Sequence, residues 1–508
     1  MRKILLAHII FCISFLGIAQ NDVVPLNNEF IYPFEHQLYE KHKENFHSGV
    51  KPFLRKDISS FVGDSLLTPL KCWASEPIAS SKDCNLSMNI SPLIHGVSLY
   101  QAGENIRFNY SAGLYTSISG KKLGLSGWYR YGQFPRFPFQ DTSLFMREAV
   151  NGIGMNQGAD HAHHYEFYLN YSPNQYFDIT AGNGKHFWGD GYRSFLLSDN
   201  PSPYPFLRIM SSFWNVRYTN LYAMHVDNNY NGFQRKFVSS HQLSWNIVKN
   251  LNFTLYETVI FAHKDTLGNR NFDVNYLNPI IFFRPVEYSI GSNDNVLFGG
   301  SLKYTLADKY TFYTQLVFDE FLLSAFRENN GWWANKYGVQ FGFKTYNIAN
   351  IDGLSYQLEY NFARPFTFAH KYSVLNYGHL GQSLAHPLGA NFYELTQIIR
   401  YQKDRWYFRL QTQYQDRGDN TTSANYGGDI FRSYLDRAGN FGHTIGQGEQ
   451  HFVWWNQLSV SYVILNKFNL RGFIDYTFRT DRTGGKTKIN NLLQVGIRTS
   501  FWNTYNDY

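Results

Sequence analysis

Aromatic and charged side chains are concentrated between residues 182 and 208, in a stretch whose composition suits sugar binding. It reads GNGKHFWGDGYR and then, after residues 194–200, PSPYPFLR. Aromatic rings can stack on the apolar side of a pyranose, while charged groups bond its hydroxyls or carboxylates. The candidate polysaccharide-binding residues here are His186, Trp188, Asp190, Tyr192, Arg193 and Arg208. The alternative is a structural loop that folds back to narrow a lumen, because its glycines and prolines impose sharp turns.

A second candidate stretch, residues 278–288, places two prolines around an apolar run. It ends in Arg284 and Glu287, three positions apart, which we add to the polysaccharide-binding candidates. The simpler interpretation is that Arg284 and Glu287 form an ion pair inside a lumen, and we favour this interpretation.

Residues that could support metal binding or catalysis are sparse. In the sequence DHAHH, residues 160–164, two histidines at alternate positions would share a strand face. No carboxylate or further histidine is placed to complete a site, so a solvated loop end is expected, and we predict neither a metal nor another cofactor. The chain has no Gly-x-Ser-x-Gly nucleophile elbow. We predict that the protein is not an enzyme.

The elements that must position these residues are long strands with a period of two. In residues 354–362 Leu, Tyr and Phe alternate with Ser, Gln, Glu and Asn, and residues 406–414 repeat the pattern. These strands run about ten residues or more, whereas globular strands average about five or six. Their polar face carries Arg, Lys, Glu and Gln, which suits a wet lumen better than a large soluble core.

Composition agrees with a membrane barrel. The chain has 508 residues, 44% hydrophobic, 18% aromatic and 17% charged, which argues against disorder. Its mean hydropathy of −0.37 excludes a polytopic helical membrane protein. We predict an all-β fold, a large antiparallel transmembrane β-barrel of about 16 to 18 strands, with 18 favoured and an even number expected. The aromatic excess fits girdles at the two membrane interfaces.

The first residues differ from the rest. Residues 1–19 combine Arg2 and Lys3 with an apolar stretch and a small-residue cleavage site, the pattern of a secretory signal peptide. Its removal would lower the formal net charge from +7 to +5. We interpret residues 20–88 as a helical and loop periplasmic segment and residues 89–508 as the barrel. Cys72 and Cys84 are a candidate disulfide, because the chain enters an oxidising compartment.

With these features the chain resembles the capsule-assembly Wzi family and, among gliding bacteria, the gliding-motility RemB family. The resemblance rests on residues 182–208, on residues 278–288 and on a helical amino-terminal part before a long barrel. It implies an 18-stranded outer-membrane barrel with a small helical bundle at the periplasmic end. Wzi-type proteins attach capsular polysaccharide to the cell, whereas RemB-type proteins are associated with surface movement.

We therefore expect a protein of the outer membrane of a gram-negative bacterium that binds or organises an acidic surface polysaccharide. Its expected partners are outer-membrane lipid, that polysaccharide and possible envelope proteins, with no nucleic acid. The alternatives are an accessory protein of a gliding or secretion apparatus and a diffusion porin. On the first hypothesis, replacing Trp188 and Arg193 by Ala should weaken glycan binding and leave the barrel heat-stable.

Overall fold

A closed wall of strands forms the framework of the protein in the computed structural model. The structure describes residues 21–40, 46–59, 76–81, 84–101, 103–133, 149–150, 154–155, 161–229, 232–265, 268–279, 293–466 and 469–508. The predicted signal peptide, Cys72, Arg284 and Glu287 lie outside these residues.

Within the described ranges, 18 antiparallel strands close into a barrel, since the last strand pairs with the first. The prediction of a large barrel with 18 strands is therefore confirmed. In chain order the strands are β1 Cys84–Gln101, β2 Arg107–Ser119, β3 Leu123–Gln133, β4 His161–Tyr171, β5 Phe177–Gly184, β6 Tyr204–Phe213, β7 Val216–Asn229, β8 Gly232–Val248, β9 Leu251–Ala262, β10 Asn295–Leu306, β11 Tyr310–Glu320, β12 Lys336–Tyr346, β13 Leu354–Ala363, β14 Phe392–Lys403, β15 Trp406–Asp419, β16 Glu449–Leu465, β17 Leu470–Thr483 and β18 Lys486–Thr499.

Alternation along each strand separates the lipid face from the lumen. On β2, Phe108, Tyr110 and Leu114 are exposed on the outer face, while Ser111 and Ser117 are buried on the inner face. Because successive side chains of a strand point to opposite faces, this is the pattern of a barrel with an apolar outside and a polar inside. The same outer band continues on other strands, with exposed Leu169, Leu302, Leu410, Leu458, Ile474 and Leu493.

The two rims of the barrel differ in the length of their connections. At one rim, here called the turn end, hairpins close over residues 120–122, 214–215 and 404–405. At the opposite rim, the loop end, connections such as residues 364–391 and 420–448 are much longer. In outer-membrane barrels short turns face the periplasm and long loops face outward.

Helical structure is confined to short pieces. Helix α1 covers Asn28–Glu40, α2 covers Arg55–Ile58 and α3 covers Leu323–Glu328. Single-turn 3-10 helices lie at Val274–Leu277, Ile348–Asn350, Ser373–Leu375 and Tyr434–Asp436. Among the described residues, no helix is both long enough and apolar enough to cross a bilayer.

The amino-terminal segment, residues 21–40 and 46–59, lies against the lumenal wall at the turn end. Asn21 donates hydrogen bonds to the carbonyl of Gly120 in the β2–β3 turn, and Glu35 pairs with Lys344 on the inner face of β12 over 2.6 Å. Phe34 is fully buried. The helical character expected for this segment is thus present, and the segment fills one end of the barrel.

The first barrel strand begins earlier than the expected boundary at residue 89. β1 starts at Cys84, and a strand at Glu76–Ser81 pairs with its first residues. The remaining short strands, outside the wall, are Val50–Lys51, Ala149–Val150, Gly154–Met155, Phe187–Trp188, Lys264–Asp265, Gly268–Asn269, Gly378–His379 and Gln382–Ser383.

Candidate functional site in the lumen and at the loop end

A segment of the wall turns inward between β5 and β6. Gly184 at the end of β5 pairs with Tyr204 at the start of β6, so the intervening residues 185–203 leave the wall and enter the lumen. We call residues 185–203 the strap. A Cβ on Gly184 would lie 2.4 Å from the ring of Tyr168, so the chain can enter the lumen this closely only at a glycine.

The strap crosses to the opposite wall through Tyr192 and Arg193. Their backbone amides donate to the carboxylate of Glu359 on β13 over 2.7 and 3.0 Å. The Arg193 guanidinium lies 2.9 Å from Asp507 and 3.4 Å from Glu394, and the Tyr192 hydroxyl donates to Asp507 over 2.6 Å. Since buried charges need partners, this network explains how an arginine is tolerated in the interior.

Residues 500–508, here called the tail, complete that network. The Asp507 carboxylate also accepts hydrogen bonds from the amides of Gln411 and Gln413 on β15, over 2.9 and 2.8 Å. Phe501 stacks on Tyr115 of β2 with ring centroids 5.1 Å apart. The tail therefore returns into the lumen and binds the strap and two parts of the wall together.

The strap is also joined to the amino-terminal segment. Asp190 accepts hydrogen bonds from the hydroxyls of Tyr39 and Ser48 over 3.1 and 2.5 Å, and Lys303 lies 3.8 Å away. Trp188 pairs with Val50 in a two-stranded sheet. Three separate stretches of chain thus meet inside the barrel.

His186 and Arg208 are engaged closer to the β5–β6 wall. A ring nitrogen of His186 lies 3.2 Å from the Tyr204 hydroxyl, and the ring packs edge-on against Phe206. Arg208 on β6 donates to the carbonyl of Pro52 over 3.2 Å. Both side chains are fully buried.

All six described candidates from the 182–208 stretch are therefore buried, and they lie along one lumenal network. This arrangement corresponds to the alternative of a loop that narrows the lumen. Their contact with a polysaccharide stays a prediction. The side chain of Cys84 is not described, so the disulfide with Cys72 also stays a prediction.

The histidines of the 160–164 sequence lie on both faces of β4. His161 and His163 flank Tyr131 on the outer face, with ring centroids 5.9 and 4.7 Å from it. His164 points into the lumen, where it accepts a hydrogen bond from Arg130 over 3.1 Å. Within the described ranges there is no group of three or more His, Cys, Asp or Glu suited to a metal ion.

An aromatic surface at the loop end was not identified from the sequence. Trp332 packs on Phe441 with ring centroids 5.0 Å apart, and Trp333 packs on Tyr434 at 4.6 Å. The Arg437 guanidinium lies 4.2 Å from the Trp333 ring centroid, and 60% of Phe441 is exposed. We call these five residues the loop-end aromatic surface.

The strap is connected to this surface through residues 364–391. The Ser198 hydroxyl of the strap donates a hydrogen bond to the carbonyl of Ala385 over 2.6 Å. The backbone N–H of Ser198 donates to the carbonyl of Leu384 over 2.7 Å. At the other end of the same connection, Phe366 packs edge-on against Trp333 at 6.2 Å. A continuous chain of contacts thus runs from the lumen to the loop end.

Comparison with solved structures shows that the fold of this chain is similar to that of known outer-membrane barrels. The chain is similar to the structure of Wzi from Escherichia coli, an outer-membrane protein involved in group 1 capsule assembly and described as a carbohydrate-binding β-barrel. The TM-score is 0.60 at 11% identity, covering 94% of this chain and 100% of that chain. At this identity the likeness shows the fold alone.

Two porin structures match less well. Pseudomonas aeruginosa OprD has a TM-score of 0.44 at 10% identity, covering 84% of this chain and 98% of that chain. Acinetobacter baumannii OccAB2 has a TM-score of 0.44 at 9% identity, covering 81% and 97%. No family model and no curated protein matches the chain. The resemblance to RemB is not supported by these comparisons, and the chain shares the architecture of outer-membrane barrels.

Proposed function

We propose that this protein is a non-enzymatic barrel of the gram-negative outer membrane that holds an acidic surface polysaccharide at its loop end. The apolar outer band provides the contact with lipid, and removal of the signal peptide precedes insertion. The polysaccharide lies on the loop-end aromatic surface, which is the observation that carries the proposal.

The chemistry of that surface suits a sugar chain. Trp332 and Phe441 pack on each other at an interplanar angle of 47°, Phe441 is exposed, and the apolar side of a pyranose packs on such rings. Arg437, on the same loop as Phe441, adds positive charge for the carboxylates of an acidic glycan, whereas Arg432 on that loop is already paired with Asp436 over 2.6 Å. Wzi, which has the same architecture, is described as carbohydrate-binding.

The buried candidates have a positioning role in this proposal. Trp188, Arg193 and their neighbours hold the strap in the lumen, and the strap supports residues 364–391 behind Trp333. Changes to Trp188 or Arg193 would then alter glycan binding indirectly, by releasing the support of the loop end.

The filled lumen favours a binding protein over the porin alternative. The strap, the tail and the amino-terminal segment all occupy the interior of the described barrel. A diffusion pore needs a continuous water-filled passage, which these segments interrupt. The gliding alternative has no comparable observation in its favour.

The experiment measures binding of polysaccharide extracted from the producing cells to the purified protein in detergent. Each aromatic ring contributes about 1 kcal/mol, so replacing both Trp332 and Phe441 by Ala should weaken binding about tenfold or more. Trp214→Ala is the matched control, because Trp214 is an exposed tryptophan in a turn-end hairpin. Equal binding by the Trp332/Phe441 double variant and the wild type would refute the proposed surface.

A further inference from the structure

A pocket lies at the opposite end of the barrel from the loop-end aromatic surface. It has about 550 Å³ of free space, part of it open to solvent, between the first turn of α1 and the inner face of β13–β17. Glu29 and Tyr32 line it from the helix, and Arg400, Arg409 and Arg471 line it from the wall.

The lining of this pocket has an excess of positive charge. It contains three guanidinium groups and one carboxylate, that of Glu29. Glu29 already pairs with Arg498 over 2.6 Å and accepts a hydrogen bond from Ser500 over 2.8 Å. Burial by itself would raise the pKa of Glu29, but the nearby arginines, Arg498 first, lower it to about 2.

Two of the arginines oppose each other on neighbouring strands. Arg400 of β14 lies directly across from Arg409 of β15. Like charges directly opposite in a sheet are destabilising unless a counter-charge is present. The comparable pair Arg471 and Arg498 has such counter-charges, since Arg498 contacts Glu29 and Asp475. Among the described residues, neither Arg400 nor Arg409 forms an ion pair with a carboxylate.

Among the described residues, Arg400 and Arg409 have neutral hydrogen-bond partners, which leave guanidinium donors unused. Arg400 donates to the amide oxygen of Gln357 over 2.9 Å and stacks on Tyr32 at 3.6 Å, while its buried Nε has no hydrogen-bond partner among the described atoms. Within the part of the chain that the structure describes, Arg409 donates one hydrogen bond, to Gln457. Guanidinium groups suit bidentate recognition of carboxylate or phosphate.

The remaining lining is uncharged and mixes polar groups with the apolar surface of Pro33, Tyr401 and Phe408. Ser355, Ser459 and Ser461 supply hydroxyls, and Gln402 and Tyr407 supply further hydrogen-bonding groups. Such a lining suits a sugar, whose hydroxyls can bond the polar groups while the apolar side of its ring packs on the aromatic surface. We infer that this turn-end pocket is a second binding site, which takes a sugar bearing an oxyanion, either the carboxylate of a uronic acid or the phosphate of a phosphosugar.

The test titrates the full-length protein in detergent with glucuronate, glucose 6-phosphate, glucose and inorganic phosphate by calorimetry. At least one acidic sugar should bind saturably, and which one binds tells whether the source is a uronic acid or a phosphosugar. Glucose and inorganic phosphate should bind at least about tenfold more weakly. Arg409→Gln should weaken the acidic sugar about tenfold or more, since a charge-assisted hydrogen bond is lost. Arg107→Gln, at an exposed ion pair, is the matched control.

The melting temperature of the Arg409→Gln variant distinguishes a binding role of Arg409 from a structural role. Arg409→Gln removes the opposition to Arg400 and an attraction to Glu29, which stays paired with Arg498, so the variant without ligand should melt at about the wild-type temperature. The added acidic sugar should raise the melting temperature of the wild type but not that of the variant. The inference is overturned if neither acidic sugar binds, if inorganic phosphate binds as tightly as the sugar, if Arg409→Gln binds equally well, or if the ligand-free variant melts lower.

This inference stands apart from the proposed function. The Trp332/Phe441 double variant should lose polysaccharide binding and keep the acidic-sugar site, whereas Arg409→Gln should show the reverse. Loss of both binding activities in either variant would contradict the assignment of two separate sites.

Discussion

The guanidinium of Arg193 lies 2.9 Å from the carboxylate of Asp507, deep inside the barrel. Arg193 belongs to the strap and Asp507 to the tail, so one ion pair joins two segments 314 residues apart. Both side chains are almost completely buried. The interior of the barrel is consequently held by paired charges and amides together with a buried apolar cluster that includes Phe34, Trp188 and Phe501.

Replacing Arg193 by Ala should destabilise the protein. Removal of one partner from a buried ion pair leaves the other charge uncompensated, at a cost of about 3–5 kcal/mol. The free energy of unfolding in denaturant, measured in detergent, should fall by that amount. Arg107→Ala, which breaks an exposed pair with Glu104, should change it by less than about 1 kcal/mol. An unchanged unfolding midpoint for Arg193→Ala would mean that the strap does not depend on this pair.

The entry of the strap should be sensitive to a single methyl group. In Gly184→Ala the new Cβ would lie 2.4 Å from the Tyr168 ring, so the strap or the ring has to move. Overpacking of this kind costs about 1–3 kcal/mol, and a lower melting temperature should report it. Gly439→Ala is the control, because nothing lies within 4 Å of the added Cβ. Equal melting of the two variants would show that the wall adjusts freely there.

Acid should weaken the attachment of α1. The pKa of Glu29 is about 2 in the folded protein and 4.5 in the unfolded chain. Because the folded state favours the ionised carboxylate, ionisation of Glu29 stabilises the fold. This contribution, about 3 kcal/mol, is complete above pH 4.5 and is lost as the pH falls through about 2. The wild type should therefore lose more stability between pH 5 and 2 than Glu29→Gln. Identical acid profiles for the two proteins would contradict the pairing of Glu29 with Arg498.

The strap should limit conductance. Single channels of the wild type in a planar bilayer should conduct poorly, because the strap and the tail occupy the lumen. Replacing residues 187–201 by a short Gly-Ser linker should increase the conductance, provided that the variant still shows the β-rich circular dichroism of a folded barrel. High conductance of the wild type itself would favour the porin alternative.

The strand pattern made the barrel predictable, because alternation is local. The spacing of residues 406–414 assigns Trp406, Phe408 and Leu410 to one face, and all three are exposed on the outer face. For residues 182–208, a loop folded into the lumen was the alternative interpretation, since the glycines and prolines there demand turns. It could not predict that Arg193 meets Asp507, because contacts 314 residues apart leave no local pattern.

Burial also changed the expectation for the candidate residues. Trp188 and Arg193 were expected to be replaceable without loss of heat stability, but both are buried and bonded within the barrel. The loop-end aromatic surface escaped notice because Trp332 and Phe441 come from different loops. The adjacent tryptophans at positions 332 and 333, after a glycine in a polar loop, were the available signal.

The most direct test of the proposed function compares surface polysaccharide on cells that carry the wild-type gene, no gene, or the Trp332/Phe441 double variant. Cell-bound polysaccharide and polysaccharide shed into the medium are measured separately. The proposal predicts shedding without the gene and with the double variant, at unchanged total synthesis and with normal retention for Trp214→Ala. Full retention of polysaccharide on cells without the gene would contradict it.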